Sequence, residues 1–186
     1  MKPAKRERRR LERERREQHA LERNRERLTA AEARQEAGYM TEAVLQYAEI
    51  FERNRSNPLG DECALKLGFL AFVVNRRNPR AMTEERALAY AQEAQRRHPD
   101  NAEIAATLGH LYQRAGRLNE AVHQEEAALS LGPDPERTEE VQWMLGLSLV
   151  GMGQVDRARP FFEAAAQSIS SPGADGPKCW DSSWRT

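Results

Sequence analysis

The sequence predicts an all-α protein, a stack of about four helix-turn-helix units behind a long charged N-terminal helix. Three observations carry that reading. Aromatics are 6% and charged residues 31% of the 186 residues, and Ala, Leu, Glu and Arg are abundant, a mixture that favours helix over sheet. Small residues recur at a fixed interval: Gly109 to Gly146 and Ala121 to Ala158 are each 37 residues apart, and Ala87 to Ala121 and Pro99 to Pro133 are each 34. A period of that size marks an array in which each helix pair leaves an apolar face for the next to cover. Finally, the length suits one domain, whose core in such an array is continuous but thin.

Residues 1–23 form a basic arm. Counted to Leu28, the N-terminus holds 12 Lys/Arg against 6 Asp/Glu, while the remainder holds 17 against 23, so a basic arm precedes an acidic body. Glu is interleaved throughout, and Glu12 with Arg16 at i,i+4, or Glu7 with Arg10, Glu12 with Arg15 and Glu22 with Arg25 at i,i+3, are spacings that support a solvated helix. Leu11, Leu21 and Leu28 are too sparse for a coiled-coil seam.

The array is expected over residues 24–169, in units of roughly 24–58, 61–99, 102–135 and 139–169. The first unit carries Gly38, Glu42-Ala43, Tyr47 and Ile50, with its first helix near Asn24 to Ala37. The second carries Leu67-Gly68, Ala71, Ala87, Ala94 and Pro99, and about seven extra residues between Asn75 and Thr83 predict an enlarged loop inside it. The third has Leu108-Gly109, Tyr112, Gly116, Glu120-Ala121, Ala128-Leu129 and Pro133. The fourth repeats it as Leu145-Gly146, Leu149, Gly153, Arg157-Ala158 and Ala165-Ala166, after a connection around Pro133-Asp134-Pro135. Gly inside a helix costs ~1 kcal/mol relative to Ala, so Gly109 and Gly146 predict close helix approach, with Ala121 and Ala158 on the facing helices. Gly116 and Gly153 are placed to end first helices as C-caps. Residues 170–186, with Pro172, Gly173, Gly176 and Pro177, are expected to be a disordered tail, unless Trp180 and Trp184 fold back onto the last unit.

This set of residues resembles the tetratricopeptide repeat family, whose 34-residue pattern puts Leu-Gly, Tyr, Gly, Ala, an aromatic, Ala and Pro at matching offsets; the resemblance covers roughly residues 24–169. Tyr47 and Phe162 keep the second-helix aromatic, whereas Ala91 and Glu125 replace it, which predicts looser packing there. The resemblance implies a right-handed superhelix with a concave surface lined by first helices. Carried over residue by residue, the groove positions fall on Leu65, Phe69 and Phe72, on Thr107, His110 and Arg114, and on Trp143, Met144 and Leu147. The subclass that clamps chaperone C-terminal carboxylates uses Lys, Asn and Arg at such positions, where this chain has Leu65, Phe69, Thr107 and Met144, so a different peptide or protein partner is expected. Each apolar candidate is equally open to packing against a neighbouring helix. The last unit lacks a solvating cap, so a homodimer partner would serve to cover it.

The function that follows is a protein-interaction scaffold. Its rival uses Arg6, Arg8, Arg9, Arg10, Arg13, Arg15 and Arg16 to bind a polyanion such as RNA, although no aromatic lies between Met1 and Tyr39 to stack on bases. Four histidines and two cysteines, Cys63 and Cys179, show no ligand or triad spacing, so neither enzyme activity nor metal nor cofactor is expected. The longest apolar run, Gly68 to Val74, is too short for a bilayer, and the N-terminus has no leader-like apolar region. A cytoplasmic address is the expectation.

Overall fold

The computed structural model describes residues 3–169, with side chains from 6 to 166. Cys179, Trp180, Trp184 and the expected tail lie outside the described residues. Eight helices follow one another: α1 (Pro3–Glu36), α2 (Met40–Arg53), α3 (Pro58–Arg77), α4 (Glu84–Arg97), α5 (Ala102–Arg114), α6 (Leu118–Ser130), α7 (Pro135–Gly151) and α8 (Val155–Ile169). Each packs on the next, and α5 also touches α3 and α7, so first helices of successive pairs meet. The result is an all-α repeat stack of four helix pairs.

Two kinds of junction alternate, and the sequence chemistry of each differs. Within the first, third and fourth pairs the turn is tight and built on glycine. Gly38, Gly116 and Gly153 have φ of 85°, 70° and 75°, and the following amide reaches back five residues, Tyr39 N to Arg34 O at 2.8 Å, Arg117 N to Tyr112 O at 2.9 Å and Gln154 N to Leu149 O at 2.8 Å. That is the left-handed C-terminal cap, which satisfies a carbonyl the helix would otherwise orphan. Between pairs, a side chain caps the incoming helix: Asn57 accepts from Gly60 N, Asn101 from Ile104 N and Asp134 from Arg137 N. Pro58 and Pro135 stand at the first helical position, where a missing N–H costs nothing.

Three boundaries differ from the sequence reading. α7 starts at Pro135 rather than 139, because Asp134 caps it and its carbonyl accepts the Thr138 hydroxyl at 2.8 Å. α3 runs on to Arg77, so Asn75 is helical and the second-pair loop is only 78–83; the loop is pinned from inside by Asn75, whose amide donates to Met82 O at 2.8 Å, and Met82 is fully buried. The arm is no separate element either, since α1 runs unbroken past residue 23.

Close approach sets the helix spacing. A Cβ on Gly68 would lie 2.5 Å from the Ala94 methyl, one on Gly109 2.6 Å from Glu125 Cγ, and one on Gly146 2.6 Å from the Phe162 ring. The atoms met by Gly109 and Gly146 thus belong to residues one turn beyond Ala121 and Ala158, which are themselves buried, as is Ala87. Tyr112 is also buried, with its hydroxyl accepting from Gln92 at 2.9 Å. Ala91 and Glu125 are fully buried, so the helices close up around the missing aromatics instead of packing loosely.

A buried cation ties the first two pairs together. Arg97, 13% exposed, pairs with Asp61 and Glu93, donates to Arg55 O at 2.7 Å, and lies 5.3 Å from the Phe51 ring centroid. Hydrogen bonds from Arg96 first, and then from Arg97, hold the Glu93 carboxyl down at about 2. Arg97→Met should lower the unfolding free energy by roughly 2 kcal/mol, because it leaves the Arg55 carbonyl unmet and removes the cation that bridges Asp61, Glu93 and the Phe51 ring; a urea melt that matches wild type would refute that role.

Candidate functional site

The first helices α3, α5 and α7 present one side-chain row each at steps of three and four residues, the spacing of a single helix face. On α3 the row is Leu65, Phe69, Phe72 and Arg76; on α5 it is His110 and Arg114; on α7 it is Glu140, Met144 and Leu147. The three rows meet around an open groove of about 350 Å³ lined by Phe72, Arg76, His110, Arg114, Glu140 and Met144. Leu65, Phe69 and Leu147 remain 39%, 39% and 41% exposed, large for apolar side chains beside a groove.

The remaining sequence candidates fall elsewhere. Thr107 is fully buried, its hydroxyl donating to Glu103 O at 2.8 Å. Trp143 packs edge-on against Phe162 of α8, with centroids 5.0 Å apart, and is still 37% exposed. Sequence reasoning missed Arg76 and Glu140, although each is one helical turn from a residue it singled out, Phe72 and Met144.

The groove is polar at its centre. His110 is 5% exposed, its ring 5.6 Å from Phe72, and Nε2 is 3.8 Å from Glu140 Oε1, beyond hydrogen-bond reach. Neither ring nitrogen has a hydrogen-bond partner in the described structure. Burial pushes the imidazole down to about 4, only partly opposed by the Glu140 charge, so it is neutral at physiological pH. Glu140 is paired with Arg137, which also reaches Glu103 Oε2 at 3.2 Å and is 12% exposed.

Two further guanidiniums edge the groove. Arg114 donates to Asn75 Oδ1 at 3.0 Å, and Asn75 is itself fixed by Met82, so a buried amide orients a surface cation. The Arg76 guanidinium lies 5.9 Å from the Phe72 centroid. Burial first and the Arg114 charge second lower the Arg76 pKa.

Such a site can bind by apolar contact, hydrogen bonding and charge. Cys63 is a buried free thiol on α3, pushed up to about 12 by burial, and among the described residues no Ser, Thr or Cys lines the groove beside His110. Among the described residues no group of three or more His, Cys, Asp or Glu is placed to hold a metal ion, and no helix is long and apolar enough to cross a membrane.

On the arm, Arg6, Arg8, Arg9, Arg10, Arg13, Arg15 and Arg16 are all exposed on α1. Arg8, Arg10 and Arg13 pair with Glu12, Glu14 and Glu17 at 3.0, 3.4 and 2.7 Å, each one turn ahead. Glu12 is therefore engaged by Arg8 and not by the Arg15 or Arg16 of the sequence reading.

The chain matches no protein-family model and no curated protein sequence. Its fold is similar to solved structures of MamA. One of MamA AMB-1 is 20% identical, with 76% of this chain and 75% of that chain covered and a TM-score of 0.63. One of MamA MSR-1 is 20% identical over 76% of this chain and 74% of that chain, with a TM-score of 0.62. One of residues 41 to the end of MamA from Desulfovibrio magneticus RS-1 is 16% identical over 78% and 75%, with a TM-score of 0.63. At these identities the likeness is one of fold.

Proposed function

We propose that the helix pairs are tetratricopeptide-type repeats and that the chain is a non-catalytic interaction scaffold, receiving a peptide or protein segment on the face of α3, α5 and α7. The observation that supports this most is an open groove lined by Phe72 and Met144, with exposed Phe69 and Leu65 on α3 and exposed Leu147 on α7 one or two turns along the same helices. Exposed apolar anchors around a polar centre are what an extended or helical segment needs for affinity and register. The buried thiol of Cys63 suits a reducing, cytoplasmic setting. The arm is the weaker candidate, because several of its arginines already have carboxylate partners on the same helix.

Phe69→Ala combined with Met144→Ala should weaken partner capture roughly tenfold or more, since each removes apolar contact worth about 1 to 2 kcal/mol, while helicity by circular dichroism stays close to wild type. Deleting residues 1–23 should leave capture intact, because α1 is tied to α2 beyond that cut, where Arg27 hydrogen-bonds Glu49 at 3.3 Å and its carbonyl accepts from Gln46 at 2.9 Å. Capture that survives the double change and disappears with the arm would defeat this reading.

A further inference from the structure

We infer that the open end of the array is a docking surface for the chain's own residues 170–186, with Trp180 and Trp184 covering the apolar row that α7 leaves exposed. This goes beyond the scaffold reading and does not depend on it.

The internal repeat identifies the surface. On the third pair, Ala106, His110 and Gln113 of α5 meet the first helix that follows. Ala106 clusters with Val141, His110 Nε2 lies 3.8 Å from Glu140, and the Gln113 amide donates to Met144 O at 3.1 Å and to Ser148 Oγ at 2.9 Å. The 37-residue interval that carries Gly109 to Gly146 carries these three positions to Trp143, Leu147 and Val150 on α7. Among the described residues no helix follows the fourth pair, and the three are 37%, 41% and 43% exposed. Where α5 offers its neighbour an imidazole and an amide, α7 offers Leu147 and Val150, so the side chains that cover them gain most by being apolar.

The sequence beyond Ile169 points to the occupant. Trp180 and Trp184 are four residues apart, the interval that puts two side chains on one face of a helix. Val141 and Leu145, through which α7 is buried against the third pair, come 11 and 15 residues after the end of α6, and Trp180 and Trp184 come 11 and 15 residues after the end of α8. Pro177 stands three residues before Trp180, as Pro58 and Pro135 stand at the start of first helices. A stretch of 11 residues spans up to about 36 Å, longer than the whole of α7 at about 26 Å, so the row lies within reach. A tethered segment acts at an effective concentration in the millimolar range, which favours it over a second copy for the same face. Seated there it also covers Leu147, and so competes with a partner for the α7 side of the groove.

The test follows tryptophan fluorescence in the full chain carrying Trp143→Phe, so that Trp180 and Trp184 are the fluorophores that remain of the three. The expected result is an emission maximum well to the blue of that of the free peptide 170–186, with acrylamide quenching several-fold weaker. Adding Leu147→Glu and Val150→Glu, both at exposed positions, should return the two readings to the free-peptide values while circular dichroism stays as in the parent. With Trp143 restored, Trp180→Ala combined with Trp184→Ala should lower the melting midpoint by about 5 °C. The same pair of changes should do little once Leu147→Glu and Val150→Glu are present. Neither fluorescence reading should change with protein concentration.

Tryptophans that emit and quench as in the free peptide would overturn this inference. So would protection that Leu147→Glu and Val150→Glu leave untouched, since the segment would then be seated elsewhere. Protection that appears only as concentration rises, together with a dimer in sedimentation, would replace the chain's own segment by that of a second copy and overturn it too. In each case the scaffold reading stands or falls separately, on capture by the Phe69→Ala/Met144→Ala protein.

Discussion

Glu125→Gln should remove about 3 kcal/mol of pH-dependent destabilisation that the wild-type protein suffers between acid and neutral pH. Glu125 sits on α6 at 0% exposure, packed against the backbone of Gly109. Burial raises its pKa from 4.5 to about 7, with the Ser148 hydroxyl offsetting only part of the rise; each unit is worth about 1.4 kcal/mol. The folded chain thus holds this proton more tightly than the unfolded chain. Its cost is absent below about pH 4.5, grows as pH rises, and is complete above about 7. Urea melts across that range should show the wild type losing stability relative to the glutamine variant as pH climbs. Parallel curves would place the Glu125 charge in a better-solvated setting than this one.

The same profile contains a term of opposite sign. His110, pushed down to about 4, is neutral in the folded groove while the unfolded chain takes up a proton near the ordinary histidine value of about 6.5. Its contribution is therefore present above 6.5 and lost as pH falls towards 4. Between 4.5 and 6.5 the two groups partly cancel in wild type. Removing Glu125 should uncover the histidine slope, so the glutamine variant is expected to lose stability on acidification where the parent changes less.

These two residues also mark where sequence reasoning ran out. The helix pairs were legible because each depends on a local rule: a glycine that reverses the chain, a proline that cannot continue a helix, an alanine on a crowded face. Glu125 was not, since a carboxylate on a helix is ordinarily solvated, and only its position opposite Gly109 buries it. Met82 was hidden for a similar reason: it lies in a loop, and its burial depends on a hydrogen bond from Asn75, seven residues earlier. The Arg76 and Glu140 edges of the groove were within reach, one turn from Phe72 and Met144 on rows already identified. What no single-chain pattern supplied was the pairing of Arg114 with Asn75 across 39 residues. Trp143 and Met144 are neighbours on α7 and point about 100° apart, and the contact of Trp143 with the Phe162 ring became visible only once α8 was placed.

Ala121→Trp should unfold the array. Ala121 is fully buried in the first turn of α6, in the core cluster that also contains Leu108, Leu111 and Tyr112 of α5. The two helices are held together by the short Gly116 turn, so α6 cannot swing away to admit an indole without breaking the Arg117 to Tyr112 backbone bond. Overpacking a close crossing costs about 1 to 3 kcal/mol and more when neither backbone can yield, against a total stability of about 5 to 15 kcal/mol for a domain. Because every pair covers the apolar face of its neighbour, damage at the third pair should spread to the others. Asn119→Trp, two residues earlier and exposed on the same helix, places the same bulk in solvent and should melt like wild type. If Ala121→Trp instead retained a cooperative melt at the wild-type midpoint, α5 and α6 would not be packed in the register described; if Asn119→Trp alone unfolded the chain, the buried face of α6 would be the opposite one.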